Sequence, residues 1–235
     1  MQWIGARPTP GATGLMVTLV ASFLILAFAR EETALWFRKY CALHPLEALG
    51  PRPWQLVTSW LVQDRFGAVL GDLFGVWIFG TIVEQQVGRR KMLTLFASAQ
   101  LCGALVIALV GRVLHPWIPG LDIAQTGCGP AVVALTMAFG LLYGDTPLLF
   151  FGIAELRGRT LAWLSIGIGI GIAVLNLAWL TLVGDLVGIG VGWLFTTQAL
   201  SRIERSYQRW RLKRLKRRYK VIPGGRSSAN RNYIH

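Results

Sequence analysis

Cys128 stands between two glycines, Gly127 and Gly129, where a polar loop gives way to an apolar run. A thiol attacks as its thiolate, and that form needs a base or positive charge beside it. The bland alternative is a small residue that lets a helix start pack tightly, and it outweighs the reactive one. Two acids, Asp72 and Asp185, interrupt other apolar runs. An acid within a membrane span costs roughly 2.5–3.5 kcal/mol to insert and is by default a functional candidate. The plain reading is that both lie near the outer surface and reach water, and it is the favoured one. A proton or cation path would need further acids, and beyond Glu84 the spans offer none. His115, beside Pro116 and Trp117, reads as an interfacial loop residue, not a base for Cys128. The three cysteines (Cys41, Cys102, Cys128) and three histidines (His44, His115, His235) show no ligand spacing. Neither a metal site, a cofactor nor a disulfide framework is expected from them.

The elements that must position these residues are membrane helices. Of 235 residues 54% are hydrophobic and 15% charged, against roughly 25% charged in soluble domains. The apolar residues fall into blocks of the length a bilayer needs, about 20 residues of helix. Six spans are predicted: Thr13 to Ala29, Phe66 to Val83, Met92 to Val113, Gly127 to Tyr143, Leu161 to Leu182, and a last one from beyond Asp185 to Leu200. Residues 1–12 form a short N-terminus, 13–200 the membrane domain, and 201–235 a basic tail. The connection over residues 30–64 mixes charge with Trp36, Trp54 and Trp60 and is cut by Pro45, Pro51 and Pro53, which suits an interfacial segment. Gly167, Gly169 and Gly171 loosen the fifth span, either as a gate for an entering helix or to allow close packing.

Lys and Arg set the orientation. Arg89 to Lys91, the pair Arg157 and Arg159, and the tail fall on one side, which places both termini in the cytoplasm of a plasma or inner membrane. The first connection, with Arg38, Lys39 and Arg52, is the exception. Twelve of the chain's 24 basic residues lie from Arg202 onward. Arg209, Arg211, Lys213, Arg214, Lys216, Arg217 and Arg218 alternate with two short apolar stripes (Ile203, Tyr207, Trp210 and Leu212, Leu215, Tyr219). That pattern suits a helix resting on anionic lipid, with a solvated tail an equal alternative and nucleic acid the least supported partner.

Four stretches, in order, resemble the rhomboid family of intramembrane proteases. They are Pro53-Trp54-Gln55-Leu56-Val57-Thr58; Trp77-Ile78-Phe79-Gly80 with Glu84 and Gly88; Gly127-Cys128-Gly129; and Gly188 with Gly192. The resemblance covers about residues 53 to 195 and implies an all-α, polytopic bundle of six transmembrane helices. It also implies where chemistry should lie. Aligned on Gly129, the nucleophilic serine of the family becomes Cys128, and the first glycine of its motif becomes Thr126. Aligned on Gly188 and Gly192, the general base histidine becomes Asp185. Counted back from Trp77 and Gly80, the oxyanion-binding pair becomes Ala68 and Asp72.

These changes dismantle the chemistry. A carboxylate opposite Cys128 repels the thiolate instead of forming it. Ala68 offers no side-chain donor, and Asp72, if ionised, only acceptors; one well-placed oxyanion donor is worth about 3–4 kcal/mol. The residues expected to remain structural are Gly129, Gly184, Gly188 and Gly192, whose spacing lets helices approach closely. The resemblance therefore implies a non-proteolytic, rhomboid-like protein that binds transmembrane segments of client membrane proteins. Two alternatives stand beside it: a peptidase using Cys128 with an unrecognised base, and a proton or cation pathway through Asp72 and Asp185.

Overall fold

The computed structural model describes residues 8–63, 65–117, 123–150 and 154–197. The chain divides into two units, Met1–Thr197 and Gln198–His235, and every described residue belongs to the first. The basic residues from Arg209 to Arg218 lie outside the described residues, as do the last residues assigned to the sixth span.

Among the described residues, eight α-helices follow one another: α1 (Pro10–Phe28), α2 (Glu31–Cys41), α3 (Gln55–Thr58), α4 (Phe66–Val87), α5 (Arg89–Leu114), α6 (Gly129–Leu142), α7 (Gly158–Leu175) and α8 (Trp179–Thr197). Five of them, α1, α4, α5, α7 and α8, are long and apolar enough to cross a membrane. The fold is thus an all-helical membrane domain, with one small exception. Between α6 and α7 a two-stranded antiparallel hairpin pairs β1 (Pro147–Phe150) with β2 (Ala154–Arg157).

The helix termini show how the sequence satisfies its backbone. At the start of α1, Pro10 has no N–H to satisfy, and the Thr13 N–H donates to Thr9 O at 2.8 Å. The two N–H groups between them, of Gly11 and Ala12, donate to the Glu84 carboxyl at 3.0 and 2.8 Å, and the Thr9 hydroxyl joins them. Glu84, read from the sequence as a possible pathway acid, is a helix cap supplied by α4. Its terminal oxygens lie where a Cβ on Gly11 would stand, 2.6 Å from Oε2.

The C-terminus of α2 is closed with equal thoroughness by the tryptophan-containing stretch that follows it. Trp54 Nε1 donates to Tyr40 O at 3.0 Å, Thr58 Oγ1 to Cys41 O at 3.0 Å, and Arg52 Nη1 to Lys39 O at 3.1 Å. These are carbonyls that a helix end leaves without intrahelical partners. Gln55, fully buried, accepts from the His44 N–H at 3.1 Å. The first connection is therefore an ordered helix pair, locked by side chains onto backbone.

α6 is the central helix. Its sequence carries no charge on any face, which marks a helix buried all round, and Ala131, Ala134, Leu135, Ala138 and Phe139 are buried. It packs against α4, α5 and α7. Small residues let its neighbours come close. A Cβ on Gly184, Gly188 or Gly192 of α8 would stand 2.7 Å from Ile107 Cδ1, 2.3 Å from Pro130 O and 2.6 Å from Ala134 O. Gly103 of α5 faces Pro130 Cβ at 2.6 Å in the same way. By contrast, a Cβ on Gly167, Gly169 or Gly171 would meet nothing within 4 Å, so close packing within the described residues does not require them.

Two expected boundaries are corrected. The fifth and sixth spans separate at residues 176–178 and not near Asp185. Asn176 turns its side chain back to Ile172 O at 2.7 Å, and Leu177 takes a left-handed φ of 54°. A break made by one polar residue and one backbone angle leaves hydropathy almost unchanged, whereas Asp185 looks like a break and lies inside α8. The fourth span, expected from Gly127 to Tyr143, is helical only over Gly129–Leu142.

α4 also carries an irregularity, a π-helical turn over Val76–Gly80.

Candidate functional site

The shortness of α6, the expected fourth span, creates the site. Its 14 residues rise about 21 Å, roughly 9 Å less than a bilayer core of about 30 Å. Non-helical backbone must make up that depth, which is tolerated only where its polar groups are paired. They are: Leu43 and Gln125 exchange two backbone bonds (3.0 and 2.9 Å), and the Gly127 N–H donates to Val62 O at 3.0 Å. Gly127 has φ +90°, a conformation L side chains rarely adopt. A Cβ there would also stand 3.4 Å from Asp72 Oδ2. Cys128 follows as the N-cap of α6, with Pro130 inside the first turn.

Cys128 is fully buried. Its backbone N–H donates to Asp72 Oδ2 at 3.2 Å. Gln63 Nε2 donates to that oxygen too, at 3.1 Å. Asp72 thus occupies the backbone N–H of Cys128. The carboxyl caps the N-terminus of α6 from the side of α4.

Asp185 is buried on the other side of the glycine pair. A Cβ on Gly129 would stand 3.2 Å from Asp185 Oδ1, an atom without a hydrogen-bond partner among the described residues. Gly127 faces Asp72 and Gly129 faces Asp185, so the two acids flank the same three-residue turn. The structure therefore brings Cys128, Asp72, Asp185 and Gly129 together. It does not bring Ala68, which is exposed on α4 one turn before Asp72. No hydrogen bond among the described residues links His115 or His44 to Cys128, and those residues contain no cluster of three or more His, Cys, Asp or Glu able to hold a metal.

Sequence reasoning missed the amides and hydroxyl around this centre. Gln63 is buried and positions Asp72. Gln100, buried in the middle of α5, donates from Nε2 to Gly127 O at 3.3 Å and holds the glycine turn from behind. Ser59 lies buried nearby. The usable signal was composition: a glutamine inside an apolar span is costly unless hydrogen-bonded, so Gln100 announces a polar partner at its depth.

A family model described as eukaryotic integral membrane protein (DUF1751) matches residues 13–199 of the chain. Among curated proteins, none matches it.

Proposed function

Because the chain belongs to the eukaryotic integral membrane protein family DUF1751, we propose that it is a non-proteolytic, rhomboid-like membrane protein that holds transmembrane segments of client proteins. The observation that carries the non-proteolytic half is Asp72 on the Cys128 N–H at 3.2 Å. Oxyanion stabilisation needs a free, preorganised donor, and here the donor faces a carboxyl. A second acid beside Gly129, with no histidine bonded to the thiol among the described residues, supports the same reading. The peptidase alternative would need Asp72 to leave its hydrogen bonds from Cys128 and Gln63 before each turnover.

The open face of α7 supports the client-binding half. Trp163, Leu164, Ile168 and Ile172 are exposed there, and the glycines at 167, 169 and 171 have free space where a Cβ would be. Helices in lipid associate by close backbone approach at such places. The positive-inside bias of Arg89 to Lys91, Arg157 and Arg159 supports cytoplasmic termini in a plasma or inner membrane, with Arg209 to Arg218 either on anionic lipid or solvated.

The test is a panel of single-span substrates reconstituted with the full chain in lipid, comparing wild type, Cys128→Ala and Gly169→Leu. All substrates should remain intact with each protein. At least one should co-purify with wild type and Cys128→Ala, and be lost with Gly169→Leu. Cleavage by wild type that disappears in Cys128→Ala would overturn the non-proteolytic reading. Intact substrates that never co-purify would overturn client binding.

A further inference from the structure

Asp72 uses one of its two carboxyl oxygens inside the protein. Oδ2 accepts from the Cys128 N–H at 3.2 Å and from Gln63 Nε2 at 3.1 Å, whereas neither bond goes to Oδ1. Asp185 Oδ1 is sealed from solvent without a partner, but Asp72 Oδ1 is not among the sealed atoms. Asp72 is half-buried, beside exposed Ala68 and Gly71. We propose that this open oxygen selects clients: Asp72 pairs with a Lys or Arg side chain in the outer third of a client's transmembrane segment, the third away from the cytoplasm. The inference rests on the client-binding reading and names the kind of segment that site takes.

The opening follows from where α6 begins. Ala68 and Gly71 share a helix face with Gly75, one and two turns further along α4. Gly75 is buried against Val132 of α6. Ala68 and Gly71 are exposed, and a Cβ on Gly71 would meet nothing within 4 Å. The face that α6 covers lower down is thus bare above it, because α6 starts only at Gly129. Asp72 stands about 9 Å along α4 from Phe66, which matches the depth that α6 leaves unfilled. α7 holds α6 through Ala162 and Gly140. A segment lying on the open face of α7 and crossing the start of α6 therefore reaches Asp72.

The chemistry favours a basic partner. A carboxyl oxygen away from water needs a donor, and both donors that Asp72 has are neutral amides. A Lys or Arg side chain supplies a charge-assisted bond, the stronger kind. Asp185 flanks the same turn, so the recess is rich in acceptors. From the client's side, a Lys or Arg within a span is costly to insert and is kept where it finds a partner. An acid at the same depth meets two carboxyls and is turned away, which gives selection against as well as for.

The probes are single-span peptides of leucine and alanine, reconstituted with the full chain in lipid and scored by co-purification. They differ at one position in the outer third, which holds Lys, Leu or Glu; a fourth peptide carries its Lys in the inner third. Wild type should retain the outer-Lys peptide roughly tenfold better than the Leu peptide, the size of one hydrogen bond to a charged group. The inner-Lys peptide should gain nothing, and the Glu peptide should be held least. Asp72→Asn keeps an oxygen for the Cys128 and Gln63 donors but loses the charge, so it should hold Lys and Leu peptides alike. Its unchanged retention of the Leu peptide shows that the variant is folded. Gly71→Leu, which fills the bare face of α4, should also erase the preference, whereas Gly169→Leu on α7 should lower every peptide together. The proposal is overturned if wild type holds Lys and Leu peptides equally, if the depth of the Lys makes no difference, or if Asp72→Asn leaves the preference intact. In those three cases client binding itself stands. Retention of no peptide at all would remove that reading and this one with it.

Discussion

Replacing Gly11 by alanine should destabilise the protein, and removing Glu84 should reverse the sign of that effect. In the native chain the Glu84 carboxyl takes the N–H groups of Gly11 and Ala12 and the Thr9 hydroxyl. Glu84→Ala leaves two backbone donors without acceptors, at about 1–3 kcal/mol each. Against this stands relief from burying an acid at a membrane helix end, less than the roughly 2.5–3.5 kcal/mol of the bilayer centre. A net loss of about 1–3 kcal/mol remains. Gly11→Ala places a Cβ 2.6 Å from Glu84 Oε2, so the carboxyl must swing away and release the same donors. The loss should be about 1–2 kcal/mol, since alanine's helical preference returns up to about 1 kcal/mol. With Glu84→Ala already present the three nearest atoms are gone, and Gly11→Ala should stabilise by about 0.5–1 kcal/mol. Reversible unfolding of the two single variants and the double variant in detergent micelles measures this coupling. A Gly11→Ala penalty that is the same in both backgrounds would refute the capping argument.

Three further outcomes follow from other contacts. Gly188→Ala, whose Cβ would stand 2.3 Å from Pro130 O, should cost about 1–3 kcal/mol by overpacking, whereas Gly169→Ala should cost nothing and gain up to about 1 kcal/mol in the same unfolding assay. Trp54→Phe and Thr58→Val each remove one donor from the end of α2 and should cost about 1 kcal/mol apiece, seen as earlier proteolysis or faster amide exchange around residues 39–41. Burial pushes the Cys41 thiol up from its ordinary value, so less of it is thiolate at any given pH. Its maleimide labelling rate should then rise through a midpoint above about pH 8.5; a midpoint at or below that value would contradict its burial.

The membrane class and most helices were legible because a bilayer imposes long apolar runs that few other structures share. Glycines 184, 188 and 192 were legible as a single face because a helix repeats every 3.6 residues. What escaped was whatever depends on one backbone angle or one distant partner. The turn at Asn176 and Leu177 barely alters hydropathy, so the break was placed at the more conspicuous Asp185. Glu84 looked like a stray acid because its partners stand 72 to 75 residues away in sequence. At the site, Asp72 and Asp185 stood out as acids in apolar runs, and Cys128 through its place between two glycines and the rhomboid resemblance. Gln63 and Gln100 were passed over, since an amide carries no charge to draw attention, although its burial demands a partner just as firmly.

The π turn in α4 changes how that helix must be counted. In an uninterrupted α-helix each residue advances about 100°, so Asp72 and Glu84 would point about 120° apart. A π turn takes up one extra residue without advancing the winding, which brings the two acids to within about 20° of a common direction. One helix can therefore offer a carboxyl to the N-terminus of α6 at one depth and to that of α1 at another. The surplus residue is a phase corrector. Deleting a single residue from Val76–Gly80 would give a more regular helix and swing one of its two acids away from the helix it caps, so here regularity and correct assembly pull in opposite directions.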